Sequence, residues 1–480
     1  MEERAVEIAV IGAGTAGLAA MRAAEAAGAK PLLVEAGPYG TTCARVGCMP
    51  SKALIAAASA AEHVRNAPTF GIGCDAPAVD GAAVMARVRA LRDRFVAHVV
   101  DQVETIPAER RLEGKARFAG DGRLVVATGN GEVAVRAARV VIATGSRPTV
   151  PQDFSSITRL STTDDMFDWE DLPASVAVFG AGSIGLEIGQ ALTRLGVRTK
   201  LFGKHGDVGP LTDGDLLGLA RARFRETLDF LPDFRLDRLC EEDGEVRIDY
   251  QVGGEARTER FERLLVAIGR TPNVDGLDLA STSLARDESG VPVFDRRTCQ
   301  CGEDPVFIAG DAEDTVPVLH EATDTGRIAG ANAAAFPDVE RHHRRAPLAV
   351  VFCEPQIALV GESRAALDDA GVDYRTGVVD FSDQGRARVM DEAAGRLHVY
   401  ARAGSCELLG AEMICPRAEH LAHLLALALE AQVGLPAMAR MPFYHPTFEE
   451  GLRTAIRDAM AKARLAEPPL PHGLSSGPGG

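Results

Sequence analysis

Aromatic residues are scarce in this chain, 5% of 480 residues with a single tryptophan at Trp169, and there is no excess of positive charge: the formal net charge is -16. An acidic surface repels a phosphate backbone and no basic face interleaved with aromatics is available to bind one, so nucleic acid is excluded as a partner class. No apolar run reaches the roughly 18 residues a membrane span needs. The early stretch Val6 to Ala20 is broken by glycines and follows Glu2 and Glu3 rather than the basic start of an export signal, so a cytoplasmic protein without a membrane partner is expected. Cysteines are few as well. Nine of them spread over the chain is an odd number, which argues against a secreted disulfide framework and makes any disulfide here a working one.

What is abundant is glycine, 49 residues, with 46% hydrophobic and 25% charged residues, the balance of an ordinary α/β protein. The length is too great for one hydrophobic core, and about three domains are expected. The apolar run Ala5 to Ile11 leads into Gly12-Ala-Gly14-Thr-Ala-Gly17 and then the alanine-rich Leu18 to Ala27, which reads as strand, tight turn and helix; a second strand, Pro31 to Val34, closes with Glu35. Ser175 to Phe179, Gly180-Ala-Gly182-Ser-Ile-Gly185 and Leu186 to Leu195 repeat the plan. Two dinucleotide-binding βαβ units are implied. Between them run a helical stretch from Lys52 to Val103, short strands Arg123 to Val126 and Glu132 to Val135, and Val140 to Thr144 leading into Gly145. Leu264 to Ile268 leads in the same way into Gly269, and the two exits look like crossovers between domains.

The expected division is residues 1–150 for a first nucleotide-binding domain, 151–272 for a second, 273–345 for a return to the first, 346–463 for an α+β interface domain, and a disordered tail over 464–480. Val306 to Ala309 before Gly310-Asp311 reads as the returning strand, and Arg341-His-His-Arg-Arg345 as a solvated linker rather than a metal or anion patch.

In the first unit Glu35 stands at the offset where a carboxylate meets a ribose hydroxyl, while the glycines let the backbone approach a pyrophosphate at the helix N-terminus. The equivalent position of the second unit is Gly203, followed by Lys204 and His205. A missing carboxylate and a nearby cation lean toward NADP(H) over NAD. Cys43-Ala-Arg-Val-Gly-Cys48 lies just beyond the first carboxylate; closing so short a loop needs distortion, for which Gly47 and Pro50 are the available residues. Cys299-Gln-Cys301, with no flanking turn or cation, reads as structural beside a strand, and Trp169 as packing.

These motifs occur, from Val6 to Ala463, in the order found in the class I pyridine nucleotide-disulfide oxidoreductases: the two glycine turns, Thr42-Cys43 to Cys48-Met-Pro-Ser-Lys52, Ala143-Thr-Gly-Ser-Arg-Pro148, Ala267-Ile-Gly-Arg-Thr-Pro-Asn273, Gly310-Asp311 and His445-Pro-Thr-Phe-Glu-Glu450. The chain resembles that family, and in Pro50-Ser-Lys52 it is most similar to the dihydrolipoamide dehydrogenases. The resemblance implies an α/β fold of two Rossmann-like domains with a C-terminal α+β dimerisation domain. It also implies FAD on the first unit, with Glu35 at the adenosine ribose and Asp311 at the ribityl chain, and NAD(P)(H) on the second. Cys43 would be the interchange thiol, Cys48 the flavin-facing one, and Lys52, paired with Glu187, would lie near the flavin. His445, oriented by Glu450, would be the acid/base serving the partner subunit's cysteines, which makes a homodimer part of the chemistry. Thr42, Thr144, Gly145, Gly269, Arg270, Gly310 and His320 complete the expected cofactor positions, and no metal ligands are expected. The implied reaction is oxidation of a dihydrolipoyl group, free or on a lipoyl-carrier protein. The alternatives are NADPH-dependent reduction of another small disulfide, as in glutathione reductases, and a mainly binding role in a lipoyl-carrying complex. Arg45 and Phe443-Tyr444 depart from the family pattern.

Overall fold

The computed structural model describes residues 2–463, so the expected disordered tail over 464–480 lies outside the described residues. Strand Glu2–Ile11 alternates exposed and half-buried positions in its first half and is wholly buried in its second, where it pairs in parallel with Leu32–Glu35 on one side and Gly131–Ile142 on the other. The sheet of which it is part runs Arg111–Glu113, Leu32–Glu35, Glu2–Ile11, Gly131–Ile142, Arg123–Thr128, Lys115–Phe118, and the returning strand Val306–Ile308 also pairs with Gly131–Ile142. Two strands expected separately around 132–135 and 140–144 are thus one strand of 12 residues. Nothing between them is a turn former, so the strand continues, hairpin-paired at its start and buried among parallel neighbours at its end.

Helix Thr15–Ala26 follows the first glycine turn and lies against helix Leu319–Ala335 with the backbones in contact: a Cβ on Gly326 would sit 2.2 Å from the Ala16 carbonyl oxygen, and one on Gly330 2.2 Å from that of Ala20. The surplus of glycine and alanine therefore serves helix-on-helix packing here. The expected single helical stretch from Lys52 to Val103 is two helices, Cys48–Asn66 and Gly81–Glu104, parted by the 3-10 turn Ala67–Phe70, where Pro68 and then Gly71 end the first.

The second unit is a parallel five-stranded sheet in the order Asp229–Leu231, Arg198–Phe202, Ser175–Phe179, Arg263–Val266, Leu160–Ser161. The antiparallel strands Arg235–Glu242, Glu245–Val252 and Glu255–Phe261 cover one face of it. The few aromatics of the chain gather between the two layers, with Phe202 5.1 Å from Phe179 and 5.3 Å from Tyr250 between ring centroids. The two crossovers meet: Ser146–Pro148 pairs antiparallel with Arg270–Pro272.

The C-terminal part is an antiparallel five-stranded sheet, Leu348–Val351, Gln356–Gly361, Leu408–Cys415, Arg396–Arg402, Tyr374–Asp380, with helices Ala418–Glu430 and Glu449–Lys462 packed against it. The basic linker is exposed at Arg341, His343 and Arg345, as expected of a solvated linker, and is also tied down by ion pairs: Arg341 with Asp295 at 2.6 Å, Arg345 with Asp324 at 2.9 Å, and the half-buried Arg344 with Glu321. Gln300 bridges to Phe307, so Cys299 and Cys301 do lie beside the returning strand, and burial pushes both thiols up, away from redox use. Trp169 is buried, donates Nε1–H to Ser161 and lies under Arg263. No helix among the described residues is long and apolar enough to cross a membrane.

Candidate functional site

Both glycine turns are shaped for a pyrophosphate. A Cβ on Gly12 would sit 2.2 Å from the Ala143 carbonyl oxygen, and one on Gly180 would sit 2.2 Å from that of Ala267. In each case φ is positive, 111° and 112°, so only glycine turns the chain there without strain. A Cβ on Gly17 or Gly185 would fall 1.8 Å from the carbonyl oxygen of Gly12 or Gly180, so the absence of a side chain seats each helix on its strand. Gly14 and Gly182 instead face open space at the helix N-termini, where unpaired N–H groups and the dipole favour an anion. Glu35 ends the second strand of the first unit; its carboxylate accepts from Ala13 N at 2.5 Å and Gly37 N at 2.8 Å and so rests beside the turn.

The residues fit FAD on the first unit. Thr144, adjacent to the Gly12 cradle, has a buried Oγ1 with no partner, and His320, in the first turn of Leu319–Ala335, has a buried Nε2 in the same condition; both are polar groups that a ligand or a water would satisfy. Asn273 fastens the loop below, donating Nδ2–H to Thr144 O at 3.1 Å and N–H to Gly145 O at 2.9 Å. Gly310 N donates to Thr325 Oγ1, which aims the next residue, Asp311, back toward the crossover. Asp311 Oδ2 accepts from Ser146 Oγ at 2.8 Å, and Arg270 donates to the same Oγ at 2.7 Å and to Ser146 O at 2.7 Å. Arg270 thus holds the two crossovers together, and Gly269 O joins them through Thr149 N.

Cys43 lies in the short helix Thr42–Arg45, which Thr41 caps by accepting from Ala44 N; Cys48 is the first residue of Cys48–Asn66. The distortion that closes the loop falls on Val46 and Gly47. Pro50 takes no part in it, because it sits in the first turn of the new helix, where its missing N–H costs nothing. Gly47 is pressed against the chain it returns over, its would-be Cβ 3.1 Å from Thr42 O. Hydrogen bonding from the Cys43 thiol, together with the Lys52 charge, outweighs burial and brings the Cys48 thiol down to about 7, while the same interaction and burial push Cys43 far up. A helix N-terminus favours the same ionisation. Lys52 Nζ pairs with Glu187 Oε2 at 2.8 Å and lies 4.6 Å from the Phe352 ring centre; Glu187 Oε1 accepts from Phe352 N at 2.9 Å. One buried carboxylate therefore ties together helix Cys48–Asn66, the second unit and the C-terminal part.

His445 Nδ1 is 3.1 Å from both oxygens of Glu450, which also accepts from Thr447 N. Burial pushes the Glu450 carboxyl up, but the Thr447 N–H and the histidine more than offset this and hold it below its ordinary value. The histidine side chain is 80% exposed, and no hydrogen bond or ion pair among the described residues joins it to Cys43 or Cys48 of its own chain. In the second unit Lys204 and His205 are exposed after strand Arg198–Phe202, as the sequence placed them. Sequence reasoning missed Asp233, at the end of the neighbouring strand, whose Oδ1 accepts from His205 N at 3.3 Å. The rule that adjacent strand ends line one crevice was the signal that could have found it.

The sequence profile of a family described as pyridine nucleotide-disulphide oxidoreductase matches residues 6–326, and that of its dimerisation domain matches residues 348–456. The chain is 34% identical over 468 residues to dihydrolipoyl dehydrogenase 2 of Haloarcula marismortui, covering 95% of this chain and 96% of the relative. It is 29% identical over 450 residues to dihydrolipoyl dehydrogenase of Geobacillus stearothermophilus, covering 92% and 94%. Among solved structures, LpdA of Mycobacterium tuberculosis has the same fold, with a TM-score of 0.81 at 24% identity, covering 94% of this chain and 99% of that one.

Proposed function

Because the chain belongs to the pyridine nucleotide-disulphide oxidoreductase family and is thereby an FAD-dependent disulfide oxidoreductase, we propose that it oxidises dihydrolipoyl groups with NAD(P)+, through Cys43 and Cys48, as a homodimer in the cytoplasm. One observation carries the chemistry: the Cys43–Cys48 thiol pair at a helix N-terminus beside the Lys52–Glu187 ion pair, with Cys48 as the thiol that ionises near neutrality. The relatives' names supply the substrate.

In the oxidised enzyme the two cysteines form a disulfide. The partner subunit's His445 takes a proton at Nε2 from one substrate thiol, since Nδ1 is held by Glu450. The resulting thiolate attacks the Cys43 sulfur and breaks the Cys43–Cys48 bond. Cys48 leaves as the thiolate, and its low pKa makes it the better leaving group of the two. The second substrate thiol then attacks the substrate sulfur of the mixed disulfide and breaks its bond to Cys43; the lipoyl disulfide departs, the second thiol's proton passes to Cys43, and the first stays on the partner subunit's His445 until it is released to solvent. FAD held on the first unit would supply a two-electron relay between this dithiol and the nicotinamide. Lys52 places a positive charge beside Cys48, and Glu187 keeps that charge in place.

The second unit favours NADP(H): no side chain stands at Gly203, where a Cβ would meet Pro232 O at 3.0 Å, and Lys204 is an exposed cation beside it. Asp233 supports a second reading in which NAD is taken through a carboxylate from the next strand. Anaerobic titration of the holoenzyme with NADH, NADPH and dihydrolipoamide tests these assignments. Dihydrolipoamide should produce the long-wavelength absorbance of a Cys48 thiolate against the flavin, and NADPH should do so at lower concentration than NADH. Absorbance with nucleotide but not with dihydrolipoamide would leave the redox pair standing and reject the substrate, in favour of another small disulfide.

A further inference from the structure

We propose that Glu412, in the C-terminal antiparallel sheet, is a positioning residue for the second nucleotide site, fixing from another part of the fold the segment that carries Gly203, Lys204 and His205. This rests on reading the second glycine turn as the nicotinamide dinucleotide site. The segment from Gly203 to Asp213 joins strand Arg198–Phe202 to helix Gly214–Thr227 and touches the glycine turn on its way: Gly209 N donates to Ala181 O at 2.9 Å, within Gly180-Ala-Gly182. Gly209 has φ of 55°, and a Cβ there would lie 3.5 Å from Val351 and 3.6 Å from Ile357, both of the C-terminal sheet. Val208 is fully buried in a core that contains Leu186, Val351, Ile357 and Ile414, so this segment has no surface of its own to slide on.

Its far end is clasped by charge. Glu412 is fully buried; Oε2 accepts from Thr212 N at 2.6 Å and Asp213 N at 3.0 Å, and Oε1 accepts from Thr212 Oγ1 at 2.6 Å and Arg364 N at 2.8 Å. Asp213, also fully buried, caps the following helix by accepting from Asp215 N at 2.9 Å and takes Arg364, His398 and Tyr400 on Oδ2 at 3.0, 2.9 and 3.2 Å. Buried ionised groups are costly unless fully paired, and every oxygen here is paired. A clasp of this kind specifies one geometry. It holds the segment at Thr212 while Gly209 holds it at the glycine turn, which leaves Lys204 and His205 a fixed reach toward a nucleotide's ribose. When binding needs one geometry of a loop, affinity falls in proportion to the fraction of time that geometry is occupied.

The test is nucleotide binding to oxidised holoenzyme by calorimetry, with NADP+ and NAD+ as probes, for wild type, Glu412→Gln and the milder Thr212→Val, beside steady-state kinetics. Glu412→Gln keeps the shape but in either orientation sets its NH2 against a backbone N–H, those of Thr212 and Asp213 or that of Arg364. Loosening that leaves the binding geometry occupied about a tenth of the time weakens nucleotide about tenfold. The dihydrolipoamide KM and the kcat at saturating nucleotide should stay as in wild type. Thr212→Val should move nucleotide affinity in the same direction by less. A lowered melting temperature with unchanged nucleotide affinity, or equal losses for nucleotide and dihydrolipoamide, would overturn the proposal and leave the clasp merely structural. Wild-type enzyme that binds neither nucleotide would remove the reading of the site itself, an outcome separate from any behaviour of the variants.

Discussion

The turns at Gly12 and Gly180 are close to interchangeable in geometry, with φ of 111° and 112° and a carbonyl oxygen 2.2 Å from where a Cβ would stand, yet the strand ends beside them differ completely. The first ends in Glu35, bonded back onto its own turn; the second ends in Gly203, with Lys204, His205 and Asp233 around it and a clasp from another sheet behind it. The turn answers to what all dinucleotides share, a pyrophosphate. The strand end answers to what distinguishes them. The supports differ in the same way: the first helix is backed by Leu319–Ala335 of its own unit, whereas the second, Ser183–Arg194, is backed by helix Cys48–Asn66 and reached by Phe352 through Glu187. The second unit is thus wired to the chemistry, and the first to its own core.

The strongest way to break this contrast is at the turns. Gly12→Ala combines a positive φ with a clash against backbone, and two such effects together cost roughly 4 kcal/mol or more; the variant should purify without flavin, as visible absorbance will report. Gly180→Ala should keep its flavin and lose nucleotide affinity by about 100-fold or more, equivalent to about 3 kcal/mol. Flavin loss in both would mean that the two turns are not independent.

Less drastic is a break in the proposed reach between subunits. His445→Ala should lower turnover with dihydrolipoamide by about 10²- to 10⁴-fold, the range for a positioned general base. Reduction by nucleotide should be untouched, because it runs through the flavin to the Cys43–Cys48 disulfide and deprotonates no substrate thiol. If both half-reactions slow alike, the histidine serves the fold rather than the substrate.

The redox pair between the two units gives the next effect, in pH. Cys48 ionises near 7, so the absorbance of its thiolate should be full above that pH and fade as pH falls through it. The largest cause of the low value is the hydrogen bond from Cys43. Cys43→Ala removes that bond, and a hydrogen bond to a charged group is worth roughly 1.5–3 kcal/mol, so the midpoint should move up by about one to two pH units. Cys43→Ser, which keeps a donor, should move it less. A midpoint indifferent to both would assign the low value to Lys52 and the helix N-terminus.

These sites were unequally legible. Glycine turns and the cysteine pair follow from motif order, because backbone approach and a redox loop need particular residues at particular spacings, whereas the Lys52–Glu187 partnership came only from the family resemblance. The continuous strand Gly131–Ile142 was hidden because two half-patterns, one alternating and one fully apolar, belong to one element with two environments. Pro50 was misread for a related reason: proline marks a break in sequence but sits harmlessly in a first helical turn. Asp233, Glu412 and Asp213 carry no motif at all. They are ordinary acids until the topology brings together strands that lie far apart in the chain, and only their burial and partners distinguish them.

The smallest effect decides the most contested point. Lys204 and Asp233 are both exposed, so each contributes at most about 1 kcal/mol, or roughly a fivefold change in affinity. Their opposite charges make the pair informative where either alone is not. Lys204→Glu should weaken NADP+ more than NAD+, since the added carboxylate repels the extra phosphate. Asp233→Asn should weaken NAD+ and leave NADP+ unchanged or tighter, since removal of a negative charge favours the phosphate. Measured at low salt, where exposed charges are least screened, the two variants should shift the NADP+ to NAD+ ratio in opposite directions. If only Asp233→Asn shifts it, the carboxylate missing from Gly203 is supplied by the neighbouring strand, and the second unit reads a ribose by the same charge as the first from a different position.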